Sequence, residues 1–234
     1  MRTHTVWIDQ PEINSGENIK LCDEERHHLK NVLRVRNLSQ VNFLNGSGLR
    51  GSAICHLDGK NLKLEINDVN SVQQNNKLHL YGPLPKGKRI TTLFEKLQEI
   101  GVCSFTPIHT EFSQKSDLSP KDLQKLNQKC IEACKQSLCP WLIKINEQID
   151  FKDLLKNKDM LFLNMNGQTA NQTDINTSEA HLAFGPEGGW SPVEEESILQ
   201  ENLGILKVSN NILRMETAAI LGAGRLLEKL ETKN

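Results

Sequence analysis

Residues 181–196 read HLAFGPEGGWSPVEEE. The first part, His181 to Phe184, is apolar enough for a buried strand. The second, Ser191-Pro192-Val193-Glu194, carries every signal of a helix start: an N-cap serine, proline at the first helical position and a glutamate at N3 that closes a capping box. Strand, loop and helix therefore follow one another. In an open α/β sheet such a loop lies beyond the carboxyl end of its strand, where ligands bind. Gly185, Gly188 and Gly189 allow positive φ and a close backbone approach to a ligand. A tight turn alone would account for one Gly-Gly, but less well for G-P-E-G-G at a strand end. A polyphosphate ligand is disfavoured. The lysine of G-x-x-x-x-G-K-[ST] is missing, and Glu187 with Glu194 to Glu196 would repel phosphates from the helix N-terminus.

A second loop stands next to this one in sequence. LGILKVSN (203–210) reads as a strand, and Ala219, Ala223, Leu226, Leu227 and Leu230 mark one face of a helix. NILRMETA (211–218) lies between them. Its Arg214 and Glu216 form either a surface ion pair at a helix start or, with the glycine loop, two walls of one pocket. Upstream, LHLYGPL (78–84), VCSFTPI (102–108) and MLFLNM (160–165) read as strands, with a shorter one near 141–146. Helices are expected between them: one from the spacing of Ile90, Leu93, Phe94, Leu97 and Ile100, others near 121–137 and 151–157. Residues 166–179 read as a polar, exposed loop. This alternation predicts an α/β domain with a largely parallel sheet.

The first third differs. HTVWI (4–8), QVNFLNG (40–46), GSAICHL (51–57) and NLKLEIN (61–67) are short strands with turns at Asn45-Gly46 and Asp58-Gly59, the pattern of a small β-barrel. NSVQQNNK (70–77) reads as a linker, so two domains are expected, 1–72 and 73–234.

A formal net charge of −1 over 234 residues argues against an indiscriminate polyanion binder, so local patches must carry any nucleic-acid contact. No stretch approaches the ~18 apolar residues of a membrane span, and the start has no apolar signal core. Both point to a cytoplasmic protein with no membrane partner. The six cysteines lack C-x-x-C spacing and read as small buried thiols, with no metal expected. Cys130 and Cys134 share a helical face, which leaves a metal conceivable there.

Four motifs in order carry a resemblance: HHLKNVLRVR (27–36), KLQEIGV (96–102), GPEGGWSPVEE (185–195) and ILRMETAAI (212–220). By these the chain resembles the RsmE-type 16S ribosomal RNA uridine-N3 methyltransferases of the SPOUT superfamily. The resemblance implies a PUA-like β-barrel followed by a SPOUT α/β domain with a C-terminal deep trefoil knot. It further implies S-adenosyl-L-methionine as cofactor, 16S ribosomal RNA or the small ribosomal subunit as partner, and a homodimer whose active site borrows from both chains. The cofactor positions it maps are Leu163 and Asn164; then Phe184, Gly185, Pro186, Glu187, Gly188 and Gly189; then Val208, Ser209, Ile212, Leu213 and Met215. The chain departs from the pattern at Phe112 and Cys139, where the family often has arginine, and at Val208-Ser209-Asn210-Asn211, where it has L-G-x-R. The lost arginines bear on RNA contacts more than on the cofactor loops.

Methyl transfer to uridine N3 requires loss of the imide proton. Arg214 is expected to hold the uracil carbonyl oxygens against developing negative charge. Glu216, or Glu187, is expected to orient that arginine or take the proton. For RNA, the run 26–36 holds four Lys/Arg and two His without an acid. Phosphate contacts are expected from Arg26, His28, Lys30, Arg34 and Arg36, with Lys86 and Arg89 of PKGKR adding a second cluster; a solvated basic face is the plainer alternative. The leading reading is an enzyme. An RNA-binding or ribosome-assembly factor with weak catalysis, or a knotted methyltransferase for another RNA, stands beside it.

Overall fold

Alternation of apolar and polar residues, clearest at Leu62, Leu64 and Ile66, builds the first sheet. The computed structural model describes residues 4–58, 61–74, 77–113, 118–169 and 178–232, grouped in two units. The first holds the described residues up to Gln74 together with Ile131–Leu142. Its strands are β1 (Thr5–Trp7), β2 (Asn18–Lys20), β3 (Gln40–Leu44), β4 (Leu49–Asp58) and β5 (Asn61–Ser71), in the order β1-β3-β4-β5-β2. All five send side chains into one cluster that includes Val6, Ile19, Val41, Phe43, Cys55, Leu62, Leu64 and Ile66. Burying each of the larger ones contributes roughly 1.5–3 kcal/mol. The sequence reading missed β2 and also the helix α1 (Asp23–His27), which runs into a π turn over His28–Val32. Leu29 of that turn is fully buried, which anchors the basic run to the core. Buried Glu25 pairs with Lys135, tying residues 131–142 to this unit. The expected linker shrinks, because β5 stays paired with β4 as far as Ser71 opposite Leu49. A polar strand is stable there because the ladder satisfies its backbone.

The second unit contains β6 (Lys77–Gly82), α2 (Lys88–Glu99), β7 (Ser104–His109), β8 (Lys144–Ile145), β9 (Ile149–Asp150), α4 (Phe151–Leu154), β10 (Met160–Thr169), β11 (Glu179–Ala183), α5 (Pro192–Gln200), β12 (Gly204–Lys207) and α6 (Met215–Glu231). The helix α3 (Pro120–Ser137) begins here and ends among the residues grouped with the first unit. The sheet runs β12-β10-β11-β6-β7-β8, with β9 also on β7. Every pairing is parallel, so the carboxyl ends of these strands share one edge. On one helical stripe α6 buries Met215, Ala219, Ala223, Leu226, Leu227 and Leu230 and packs on β6, β10, β11 and α2. Across the sheet, Phe151, Phe162, Trp190 and Ile198 form a second apolar cluster.

Three expectations change. The loop 166–179 is shorter, since β10 extends to Thr169 and β11 begins at Glu179; residues 170–177 lie outside the described residues. LGILKVSN is a strand only over Gly204–Lys207. The strand near 141–146 reduces to Lys144–Ile145, because Trp141 bridges to Ser47 instead. Among the described residues no helix is long and apolar enough to cross a membrane.

No disulfide joins the cysteines. Burial pushes the Cys55 and Cys130 thiols up to about 11 and about 12, so both pack as neutral groups. Cys22 is exposed and Cys103 and Cys139 are half-buried, so the expectation of small buried thiols holds for Cys55, Cys130 and Cys134.

Candidate active site

Because the strands are parallel, Leu163–Met165 of β10 and the loops after β11 and β12 meet at the same edge of the sheet, and there they enclose an open cleft of about 620 Å³. Phe184 sets the base of the glycine loop. It is 1% exposed, and its backbone N–H donates to the Tyr81 carbonyl at 2.9 Å. A Cβ at Gly82, the end of β6, would stand 2.1 Å from the Phe184 ring, so glycine is required for that ring to seat. The loop then turns, with the Gly189 N–H donating to the Pro186 carbonyl at 2.9 Å and Gly189 at φ +77°, a conformation that favours glycine.

Two side chains fasten this loop to its neighbours. The Trp190 indole N–H donates to the Leu163 carbonyl at 3.0 Å, joining the glycine loop to β10. Ser191 caps α5 with both halves of the capping box formed. The reciprocal residue, Glu194, is 6% exposed. Its carboxylate accepts from the Ser191 N–H and also from the Glu111 N–H, each at 2.9 Å, so one buried acid holds the loop after β7 as well. Beside it the ring of Phe112, half exposed, lies next to Gly188.

The third wall is the loop after β12. The Ser209 hydroxyl accepts from the Asn211 N–H at 3.0 Å, and Ile212 is 91% exposed. Arg214 is the N-cap of α6, with its side chain making no cap bond; it is exposed and lines the cleft. Between the walls, the Asn164 amide donates to Glu195 at 2.7 Å, where β10 shifts register against β12.

All the positions named from sequence for a cofactor line this one cleft: Leu163 and Asn164 from β10, the six residues 184–189, and Val208, Ser209, Ile212, Leu213 and Met215 from the third wall. Met165 and Asn211 fall within the mapped cofactor segments 162–166 and 207–215, while sequence reasoning missed Trp190, Glu195, Leu206 and Ala218. Helical spacing offered one signal, since Glu195 stands four residues after the Ser191 cap on the same side of α5.

The expected pairing of Glu216 with Arg214 is replaced. Glu216 does not line the cleft; its carboxylate lies 3.8 Å from the Arg89 guanidinium. As the N-cap, Arg214 sits at the end of the helix, whereas Glu216 lies inside the first turn of α6, which packs on α2. Arg89, named from sequence as an RNA contact, also stands 3.0 Å from Glu187 of the glycine loop. Lys86 is exposed. In the first unit, His28, Arg34 and Arg36 are exposed and Lys30 is half-buried, while Arg26 pairs with Asp23 at 2.8 Å. Among the described residues no group of three His, Cys, Asp or Glu side chains is placed to hold a metal ion.

Apolar walls from Leu163, Phe184, Leu206 and Met215, backbone-rich loops and the carboxylates of Glu187 and Glu195 suit a ligand with a flat apolar body and a positive charge.

Comparison with known proteins places these features. The family described as RNA methyltransferase domain matches residues 72–227. Over 153 residues, 62% of this chain and 66% of the relative, the chain is 33% identical to the ribosomal RNA small subunit methyltransferase E of Mesomycoplasma hyopneumoniae. Over 137 residues it is 28% identical to the protein of the same name from Aquifex aeolicus, covering 57% of this chain and 60% of that one. The chain thus spans two thirds or less of the length of these curated relatives. Among solved structures it is similar to a methyltransferase from Legionella pneumophila in complex with the bound cofactor SAM, with a TM-score of 0.84 at 25% identity, covering 100% of this chain and 98% of that one.

Proposed function

The chain belongs to the RNA methyltransferase domain family, and on that premise we propose that it is an S-adenosyl-L-methionine-dependent methyltransferase acting on N3 of a uridine in 16S ribosomal RNA. The observation that carries this reading is the convergence of three separate segments, around residues 163–164, 184–189 and 208–215, on one cleft. The cleft suits this cofactor in size and in chemistry. Ligand pockets of its class measure roughly 300–1,000 Å³. Leu163, Leu213 and Met215 offer apolar surface to an adenine ring, the glycine loop offers backbone polar groups, and Glu187 and Glu195 face a cationic ligand.

When bound, the sulfonium supplies an electrophilic methyl group. The chain's own residues do the rest. Arg214 makes no ion pair among the described residues and is exposed in the lining of the cleft, where it would hold the uracil carbonyl oxygens beside N3. With the N3 proton passing to a carboxylate, and the methyl–sulfur bond giving way to the N3–carbon bond to leave a neutral thioether, the guanidinium would stabilise the negative charge on those oxygens. Of the two acids named from sequence, Glu187 lines the cleft and Glu216 does not, so we assign proton acceptance to Glu187 and a supporting role to Glu216. The target base must be splayed from its stack to reach this depth.

The remaining assignments rest on the same resemblance. The division at 72/73 separates an RNA-placing domain from the methyltransferase domain. A PUA-like barrel is supported by the convergence of all five strands, both edges included, on one core. A trefoil knot is supported by the strand order, in which the last strand lies outside β10 while α6 returns across β10, β11 and β6. The exposed Ile212 and Met165 favour a homodimer that covers them. Arg26, His28, Lys30, Arg34, Arg36 and Lys86 are assigned to phosphate contacts, in the cytoplasm where ribosomes are made.

Purified protein incubated with isotope-labelled S-adenosylmethionine and either 16S RNA or small subunits, followed by nucleoside mass spectrometry, tests the proposal. N3-methyluridine is expected. Arg214→Ala should lower turnover by about 10²–10³ while cofactor affinity stays within a few-fold. RNA binding without methyluridine would favour an assembly factor instead.

A further inference from the structure

We propose that Arg89 is a positioning residue: it clamps the glycine loop to the head of α6 and so sets the affinity of the cleft for its cofactor. The inference rests on the methyltransferase reading above and deepens it. One guanidinium nitrogen, Nη2, stands 3.0 Å from Glu187 Oε1, and the other, Nη1, stands 3.8 Å from Glu216 Oε2. The two acids come from different elements, Glu187 from the turn of the glycine loop, which lines the cleft, and Glu216 from the first turn of α6, whose Met215 and Ala218 line it. A planar fork with two separate nitrogens can serve both at once, which a lysine ammonium on its single point charge does less well.

The surroundings give this arrangement its force. The Glu216 side chain is only 12% exposed, and its Oε2 is buried with no hydrogen-bond partner in the described structure. A carboxylate in that position depends on a nearby cation for compensation. Without Arg89, Glu187 and Glu216 would lose the cation they share and repel one another. The position of Arg89 is itself unfavourable for helix stability. It sits in the first turn of α2, which has no acidic residue and whose dipole disfavours cations. The two carboxylates offset that cost.

This assignment departs from the expectation that Arg89 contacts phosphate, and the two make opposite predictions. Isothermal titration of S-adenosylmethionine into the full chain should show Arg89→Met binding about tenfold more weakly than wild type, and Arg89→Lys intermediate. The KM for cofactor should rise in step, with kcat at saturation changed less. Arg89→Met combined with Glu187→Gln should weaken binding by less than the two single changes added together, because the second change removes the repulsion left by the first. RNA affinity and its salt dependence should stay as in wild type. Circular dichroism keeps the comparison to folded variants, and Arg89→Lys and Glu187→Gln carry the test if Arg89→Met does not fold. Unchanged cofactor affinity in Arg89→Met, with RNA affinity lost and the salt slope reduced by about one, would overturn the proposal, as would strictly additive effects. No heat from the wild-type chain would overturn both this inference and the methyltransferase reading; heat from wild type and equal heat from the variants would overturn this inference alone.

Discussion

The two ends of the parallel sheet both carry ionisable side chains, yet they are built for opposite purposes. At the amino ends, His79 of β6 and His181 of β11 are register partners with rings stacked at 5.1 Å. His79 Nδ1 meets the Ser104 hydroxyl at 2.7 Å, the Tyr81 hydroxyl meets His181 Nδ1 at 3.1 Å, and Glu179 stands 3.1 and 3.5 Å from the two Nε2 atoms. At the carboxyl ends, exposed Arg214 lines an open cleft and has no ion pair among the described residues. A polar cluster whose members occupy one another is architecture, whereas a charge left over beside a cavity marks a place for something else.

This contrast can be broken at several points. The largest effect is expected from Gly82→Ala. Its Cβ would meet the Phe184 ring at 2.1 Å, and overpacking of this kind costs about 1–3 kcal/mol; thermal denaturation should show the loss, and calorimetry should show weakened cofactor binding through the displaced loop. Next comes Glu194→Ala, which removes the shared acceptor of two backbone N–H groups. About 2 kcal/mol should be lost, with cofactor affinity falling in parallel and Glu194→Gln keeping part of both. Ser191→Ala removes only the cap, and should cost about 1 kcal/mol.

The smallest effect belongs to the amino-end cluster and depends on pH. Burial lowers the pKa of both His79 and His181 below the ordinary histidine value of 6.5, with Glu179 opposing the shift in each and with His181 and Lys77 adding to it at His79. Asp159 also opposes it at His181. The unfolded chain therefore takes up protons first as the solution is acidified, so the contribution of the pair is complete above 6.5 and is lost as pH falls through the lowered folded-state values. Denaturation midpoints measured from pH 7.5 down to 5 should fall less steeply in His79→Gln and His181→Gln than in wild type, with cofactor affinity at neutral pH unchanged. A loss of cofactor binding in these variants would erase the distinction between the two ends.

The sequence disclosed most where chemistry is local. The capping box at Ser191 follows from four consecutive residues, and the strands Leu62 to Ile66 and Leu78 to Leu80 follow from alternation. Sequence missed what depends on partners distant along the chain. Asn18–Lys20 is too short and polar to read as a strand, and exists because Glu65 to Lys63 pair with it. Glu194 reads as a cap, but its second partner, the Glu111 N–H, lies 83 residues away. The pairing of Arg89 with Glu187 and Glu216 crosses from α2 to the glycine loop and the first turn of α6, and no pattern in PKGKR announces it. The family motifs named the cleft's residues because they sample loops that the parallel sheet gathers; the ion pairs behind those loops are set by packing.

Trp190 gives the cleft a reporter of its own. The chain has three tryptophans, and Trp190 is the sole one in the second unit. Its N–H is held by the Leu163 carbonyl and its ring packs at 5.4 Å from Phe162 and 5.6 Å from Phe151, while its surface borders the cleft. A fluorophore held by these contacts at the border of the cleft is expected to change its emission when the cleft fills. With Trp7 and Trp141 replaced by phenylalanine, filling and emptying of the cleft can be followed by light alone, without a label on protein, cofactor or RNA.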